Sequence, residues 1–288
     1  MRCTVKRLLT TINNPNLNKL DLFLNDYFNA VGNLTSTQKN AVETMYNTLK
    51  NLGVINDLLC LYPVLGDSMQ KAKINMMNVS KYASIGNNAS YSDGVISSNN
   101  STSLVVGNES FTIDIAKPEF TVFAAFKDNS SSDVQNGKIS GICSADFTGI
   151  FLGGDKKYND RAVRTAVRNN DVITATTNGL GTGSQGKILA AGCTKIKSNN
   201  TSNVLIYDFL SNWSTRSNIE KAASSLFEFT GMPLIGYNSE GGNGECYFLA
   251  ILNKSLLSYG STDEEKETMT NALFNCFNTF LQSCKDYQ

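Results

Sequence analysis

Not one of the 288 residues is histidine. That absence excludes imidazole metal sites, Ser-His-Asp and Cys-His catalysis, and pH switching near neutrality. Charge of one sign is not in excess either, because Lys plus Arg and Asp plus Glu number 25 each. No net field draws the chain to nucleic acid or to an anionic membrane. Long hydrophobic runs are missing too. The start, "MRCTVKRLLTTINNPN", is basic but offers only Leu8 and Leu9 where a signal peptide needs a longer apolar stretch. No later run reaches the length of a transmembrane helix. The expectation is a chain made and folded in the cytoplasm of the cell that produces it, without membrane insertion.

Cysteine pairing is another absence. Cys3, Cys60, Cys143, Cys193, Cys246, Cys276 and Cys284 are odd in number, scattered, and never in a CxxC pair. They form neither a disulfide framework nor a zinc motif, and read as reduced, small hydrophobic fillers. Cys276 and Cys284 would stand about 12 Å apart along one helix, beyond the reach of a disulfide.

What the chain does have is asparagine. Doublets such as Asn99-Asn100, Asn169-Asn170 and Asn199-Asn200 suit turns, because Asn tolerates left-handed backbone. The N-x-Ser/Thr sequons this creates, as at Asn33 and Asn253, read as products of an Asn- and Ser-rich, AT-rich coding sequence.

The first third is partly helical. Leu17, Leu20, Leu24, Tyr27, Phe28 and Val31 fall on one helical stripe, which Leu22 and Phe23 widen, and Gly32 ends it. Thr35 and Gln38 make a capping box for a second helix with the stripe Val42, Met45, Tyr46, Leu49 and Leu52, closed by Gly53. From about Leu61 short β-rich runs alternate with Asn-, Gly-, Ser- and Asp-rich turns, which is the pattern of a β-sandwich or barrel. A last helix comes after a cap at Ser261–Glu264. It carries Met269, Ala272, Leu273, Cys276, Phe277, Phe280, Leu281 and Cys284 on one face, and Lys285 stands just past its end.

Four motifs invite a chemical reading. Gly181, Gly183, Gly186 and Lys187 in "GLGTGSQGK" match a dinucleotide fingerprint and part of a phosphate-binding loop. Ile188 stands where magnesium needs a hydroxyl, and "ILAAGCTKI" reads as a strand, so no helix N-terminus receives a phosphate. Glu109, Asp114 and Glu119 in "ESFTIDIAKPE" approach the spaced carboxylates of sandwich-fold glycosidases. Thr112 occupies the nucleophile position and Pro118 breaks the strand before Glu119, so a solvated strand face is the expectation. Arg161, Arg164 and Arg168 fit a hairpin turning at Asn169–Asp171 better than a basic helix for nucleic acid. Trp213, the one tryptophan, lies in a polar loop and is expected to be half-buried packing, although loop tryptophans can stack on sugars.

Two segments carry a family resemblance. In one, a helix leads to Tyr62-Pro63 and Gly66; in the other, Ile235-Gly236 and Phe248 to Leu256 lead into the last helix. Together they resemble the laminin-G-like, concanavalin-type jelly-roll modules of tailed-bacteriophage virion proteins, such as head-fibre and tail-fibre proteins, over about Thr35 to Cys284. The chain departs from the pattern at Gly66-Asp67, where a paired glycine is usual, and in lacking the histidine that often comes shortly afterwards. The resemblance implies a concanavalin-like jelly-roll β-sandwich with a helical N-terminal segment and a C-terminal helix packed on the sheet. The Asn-rich style suits a phage of AT-rich gut bacteria, the crAss-like phages being one group.

The expected organisation is an attachment or oligomerisation arm at 1–33, a helical connector at 34–60 and the jelly roll at 61–288. The expected function is a virion fibre or decoration subunit, not an enzyme, with no catalytic residue, cofactor or metal to carry over. Its partners would be itself, as a homo-oligomer such as a trimer, and other virion proteins of capsid or tail. The alternatives are a carbohydrate-binding receptor-recognition module contacting host surface glycan and, after it, a polysaccharide depolymerase.

Overall fold

The computed structural model describes residues 15–86, 89–98, 104–105, 107–112, 119–128, 140–143, 149–152, 154–155, 162–169, 171–176, 187–197, 201–208, 217–222, 230–236 and 244–285. Helices α1 (Pro15–Val31) and α2 (Ser36–Asn51) come first. Pro15 sits in the first turn of α1, where its missing N–H leaves no bond unmade. Thr35 and Gln38 form the expected capping box on α2, each side chain bonding the other's backbone N–H. Gly53, at φ +74°, takes the left-handed position beyond its end.

A 3-10 turn at Ile55–Asp57 leads into β1 (Leu58–Tyr62), and α3 (Met69–Ala72) is a single turn. Next come β2 (Ser84–Gly86), β3 (Ser90–Ser92), β4 (Val95–Ser98), β5 (Leu104–Val105), β6 (Phe111–Thr112) and β7 (Phe120–Asp128). After them stand β8 (Ser140–Cys143), β9 (Gly149–Leu152), β10 (Gly154–Asp155), β11 (Ala162–Asn169) and β12 (Asp171–Thr176). β13 (Ile188–Lys197), β14 (Thr201–Asp208), β15 (Ser217–Ala222), β16 (Thr230–Ile235) and β17 (Gly244–Leu252) complete the strands. A 3-10 turn at Leu256–Ser258 precedes α4 (Asp263–Cys284).

The larger sheet has eight strands and runs β15-β14-β13-β7-β17-β4-β3, with β1 also on β17. One edge of β17 lies against β7, while β4 and β1 share its other edge. A six-stranded sheet runs β5-β2-β16-β8-β9, with β6 also on β16. β10, β11 and β12 form a third, small sheet, in which Asn169 faces Asp171 across the expected hairpin.

Alternation along β7 shows how the layers stack. Phe123 and Ala125 face a core shared with α1, α2 and α4, whereas Val122, Ala124 and Phe126 face a second core that includes Ile85 and Ile142 of the six-stranded sheet. The molecule is thus a mainly-β sandwich with its helices packed on the outer face of the larger sheet. β17 is irregular between Cys246 and Phe248, and the parity shift turns both Tyr247 and Phe248 to the helix side. Phe248 and Phe123 meet Phe277 there at ring-centroid distances of 4.7 and 5.0 Å.

Some expectations need correction. Leu22 does not widen the packed stripe of α1: it is 56% exposed, while Tyr27 and Val31 are buried among α2, α4 and the sheet. The α4 cap falls one residue later than expected, on Thr262 with Glu265. Cys60, Cys193, Cys246 and Cys276 are buried thiols outside any disulfide and Cys284 is a half-buried one, as expected of fillers. Among the described residues no helix is long and apolar enough to cross a membrane.

Candidate functional site

Glu109 is where the structure departs most from a solvated strand face. It is only 5% exposed and sits ahead of the short strand β6. Its burial results from how the 107–109 segment is fastened. Gly107 N–H donates to Ser84 Oγ at 2.7 Å, and a Cβ on Gly107 would stand 2.7 Å from Ser84 N and Tyr82 O, so the backbone lies flat on its neighbour. Asn108 accepts from Tyr82 N–H through Oδ1 (2.8 Å) and donates through Nδ2 to Ser80 O (3.0 Å). The next side chain is thereby turned inward.

Two partners await it there. The Tyr62 hydroxyl donates to Glu109 Oε2, and Asn75 Nδ2 donates to Oε1 at 2.8 Å. Asn75, fully buried, is itself fixed because its Oδ1 accepts from Leu61 N–H (3.1 Å) and Met77 N–H (2.9 Å). Tyr62 comes from β1, whose pairing with β17 holds it between the sheets. Burial pushes the Glu109 carboxyl above its ordinary range, although the bonds from Tyr62 and Asn75 and the charge of Lys81 all pull it down. Burial also raises the neighbouring Cys60 thiol and the Tyr62 phenol, so neither is a poised nucleophile.

Above Glu109 opens a cleft of about 480 Å³. Phe23 of α1, Tyr46 of α2 and Phe111 of β6 supply aromatic walls, while Asn56, Lys81 and Glu109 supply polar groups. Lys81 Nζ donates to Asn108 O at 3.3 Å, which ties the cation to the same rim. A few polar groups convergent on an aromatic-lined concavity is the general form of a small-ligand site.

A second concavity, of about 420 Å³, lies between α2 and α4 and is lined by Thr44, Thr48, Asn275, Cys276 and Thr279. It holds no charged group. Cys276 donates from Sγ to Met45 O and burial pushes its thiol up to about 12, so it is inert packing.

The other expected positions divide between described and undescribed residues. Glu119 lies next to β7, half-buried, and accepts from Ser258 Oγ at 2.6 Å, a different partner set from that of Glu109. Asp114, Arg161, Trp213 and the glycine loop 181–186 lie outside the described residues, as do the side chains of Arg164 and Arg168 on β11. Strand β13 begins directly after Lys187, in agreement with the rejection of a phosphate-binding loop. Among the described residues no group of three or more His, Cys, Asp or Glu could hold a metal ion. Sequence reasoning singled out Glu109 but missed Tyr62, Asn75, Lys81, Phe23 and Phe111 as its surroundings; only the Asn108–Glu109 step after a glycine hinted at a turned, fastened segment.

This is the class of protein that the fold defines: a mainly-β sandwich carrying a cleft at one end of its helical layer. No family model matches the chain, and no curated protein matches it by sequence. Solved structures do match in fold. The binding domain of botulinum neurotoxin DC, solved in complex with rat synaptotagmin II, is similar at a TM-score of 0.50 and 11% identity, over 76% of this chain and 52% of that one. Botulinum neurotoxin type C, whose cell entry depends on two ganglioside molecules, is similar at 0.47 and 7% identity, over 76% and 52%. A Trypanosoma rangeli sialidase mutant displaying trans-sialidase activity is similar at 0.44 and 9% identity, over 82% and 39%. The chain spans about half or less of the length of these structures.

Proposed function

We propose that this chain is a carbohydrate-binding module of the β-sandwich class, and that the Glu109 cleft is its binding site. The observation that carries the reading is the buried Glu109 carboxylate, held by Tyr62 and Asn75 at the floor of an aromatic-walled cleft. Each of its oxygens is used once by the protein and retains acceptor capacity for a ligand hydroxyl. The half-buried rings of Phe23 and Phe111 can stack on the C–H face of a sugar. The fold supports the reading in a coarser way, since the botulinum neurotoxin DC domain that shares it is itself a binding domain.

A glycan array tests it. The expected outcome is enrichment of a related set of saccharides by the wild-type chain and its loss in Phe111→Ser; no enrichment above a non-binding control sinks the reading. The virion-subunit reading stands on the sequence resemblance, and its motif residues take structural positions. Tyr62 is buried, and Gly66 (φ +126°) has no room for a Cβ, which would lie 2.7 Å from Lys71 Cβ. Particles labelled by antibody against this chain would support a fibre or decoration role, and unlabelled particles would count against it. A depolymerase would need a second carboxylate facing Glu109, and among the described residues Glu119 accepts from Ser258 Oγ.

A further inference from the structure

Lys285, the residue after α4, is only 5% exposed, and among the described residues its ammonium meets no carboxylate. Its Nζ donates instead to three backbone carbonyls: Val64 O at 3.1 Å, Gly94 O at 2.7 Å, and Tyr247 O. An ammonium has three N–H donors and no acceptor, so the three carbonyls satisfy it completely. Burying such a charge is costly unless it is fully bonded, which makes the arrangement a built site.

The three carbonyls come from separate places in the fold, and each is aimed by an unusual backbone. Val64 lies just past β1 and has φ +55°, a strained conformation for a β-branched residue. Asp93 and Gly94, in the turn between β3 and β4, have φ +50° and +81°. Tyr247 lies in the irregular step of β17. The two turns are in contact, since a Cβ on Gly94 would stand 3.6 Å from Val64 O and 3.7 Å from Lys285 Nζ. Tyr91 fastens the same corner by donating from its hydroxyl to Gly66 O at 2.7 Å.

We propose that these three carbonyls form a binding site for a primary ammonium, that Lys285 fills it in cis as a latch on the end of α4, and that a free primary alkylammonium fills it when the lysine is cut back. The site is independent of the Glu109 cleft and stands or falls without it. In Lys285→Ala the space left is that of n-propylammonium, which supplies the missing three carbons and nitrogen. The variant should melt roughly 5 °C below wild type, and n-propylammonium chloride should restore much of the loss while leaving wild type unmoved. Tetramethylammonium chloride, which has no N–H, should restore none. Equal shifts in variant and wild type, or equal rescue by tetramethylammonium, would overturn the proposal. Lys285→Met, which keeps the apolar stem, decides the matter if the Ala variant does not fold. It should melt below wild type with faster amide exchange at the end of α4, and a Met variant matching wild type in both would refute the latch.

Discussion

Glu109 and Lys285 are the charged side chains that the described part of the core admits, and the fold treats them alike. Each is hydrogen-bonded, among the described residues, by neutral donors or acceptors brought from distant elements. Because Glu109 is the acceptor for both Tyr62 and Asn75, Glu109→Leu strands two buried donors and should destabilise the chain by roughly 1–3 kcal/mol. Glu109→Gln keeps one acceptor oxygen and should cost less, and urea denaturation of the two variants checks the order. Lys285 is titratable too, and burial opposes its charge while the three carbonyls favour it. Burial lowers its pKa from 10.5 to about 7, with the neighbouring Cys284 and Cys246 acting the other way. Among the described residues, Asp93 lies in the turn that supplies Gly94 O, Asp67 with its partner Lys71 lies beside Gly66, and Glu245 and Lys187 both meet the Tyr247 side chain. With a depressed folded pKa, the unfolded chain binds the extra proton between about 7 and 10.5, so stability from this residue rises with pH across that window and is flat below it. The buried thiols and phenols act oppositely once they ionise in the unfolded chain, so the comparison must be between variants. The stability of wild type relative to Lys285→Met should climb from pH about 7 upward; a pH-independent difference would mean that the lysine is not titrating there.

At the scale of the element, α4 lays an aromatic face on the larger sheet. Phe274, Phe277 and Phe280 set their rings against Phe123 and Phe248 of the larger sheet, at centroid distances of 4.7 to 5.8 Å. Phe277→Ala empties the middle of that stack and should cost about 3–5 kcal/mol, read as a lowered denaturation midpoint with the slope unchanged. The helices were legible in the sequence because their signals are local: a periodic stripe and a capping box lie within one segment. Even there, a local rule has its limit. Ser261–Glu264 and Thr262–Glu265 both fit the box, and Glu265 resolves the tie by accepting from the N–H groups of Ser261 and Thr262. Leu22 sits among apolar neighbours in sequence yet faces solvent, since the stripe is set by what α2 and the sheet cover. The strands were legible as alternation between turns, and β11 with β12 formed the hairpin read from Asn169–Asp171. The site was not legible. Glu109 finds Asn75 across 34 residues and Tyr62 across 47, while Lys285 finds Val64 across 221. No periodicity encodes such meetings, so Glu109 reads as a surface carboxylate and Lys285 as a helix-end charge.

At the scale of the whole molecule, the larger sheet has no polar face within its described core. One side meets the helices and the other meets the second sheet, which is why β17 reads as a nearly unbroken apolar run from Cys246 to Leu252. Among the described residues, the helical layer, β1 and the 107–112 segment converge at a rim that leaves a cleft open. That cleft holds Glu109, and the proposal to be tested is carbohydrate recognition there. The most direct measurement is amide hydrogen exchange of the wild-type chain with and without a saccharide enriched on the array. Protection should appear at residues 55–59, 77–81 and 107–112, and Glu109→Gln should weaken it. Protection confined to other segments, with these three unchanged, would contradict the assignment.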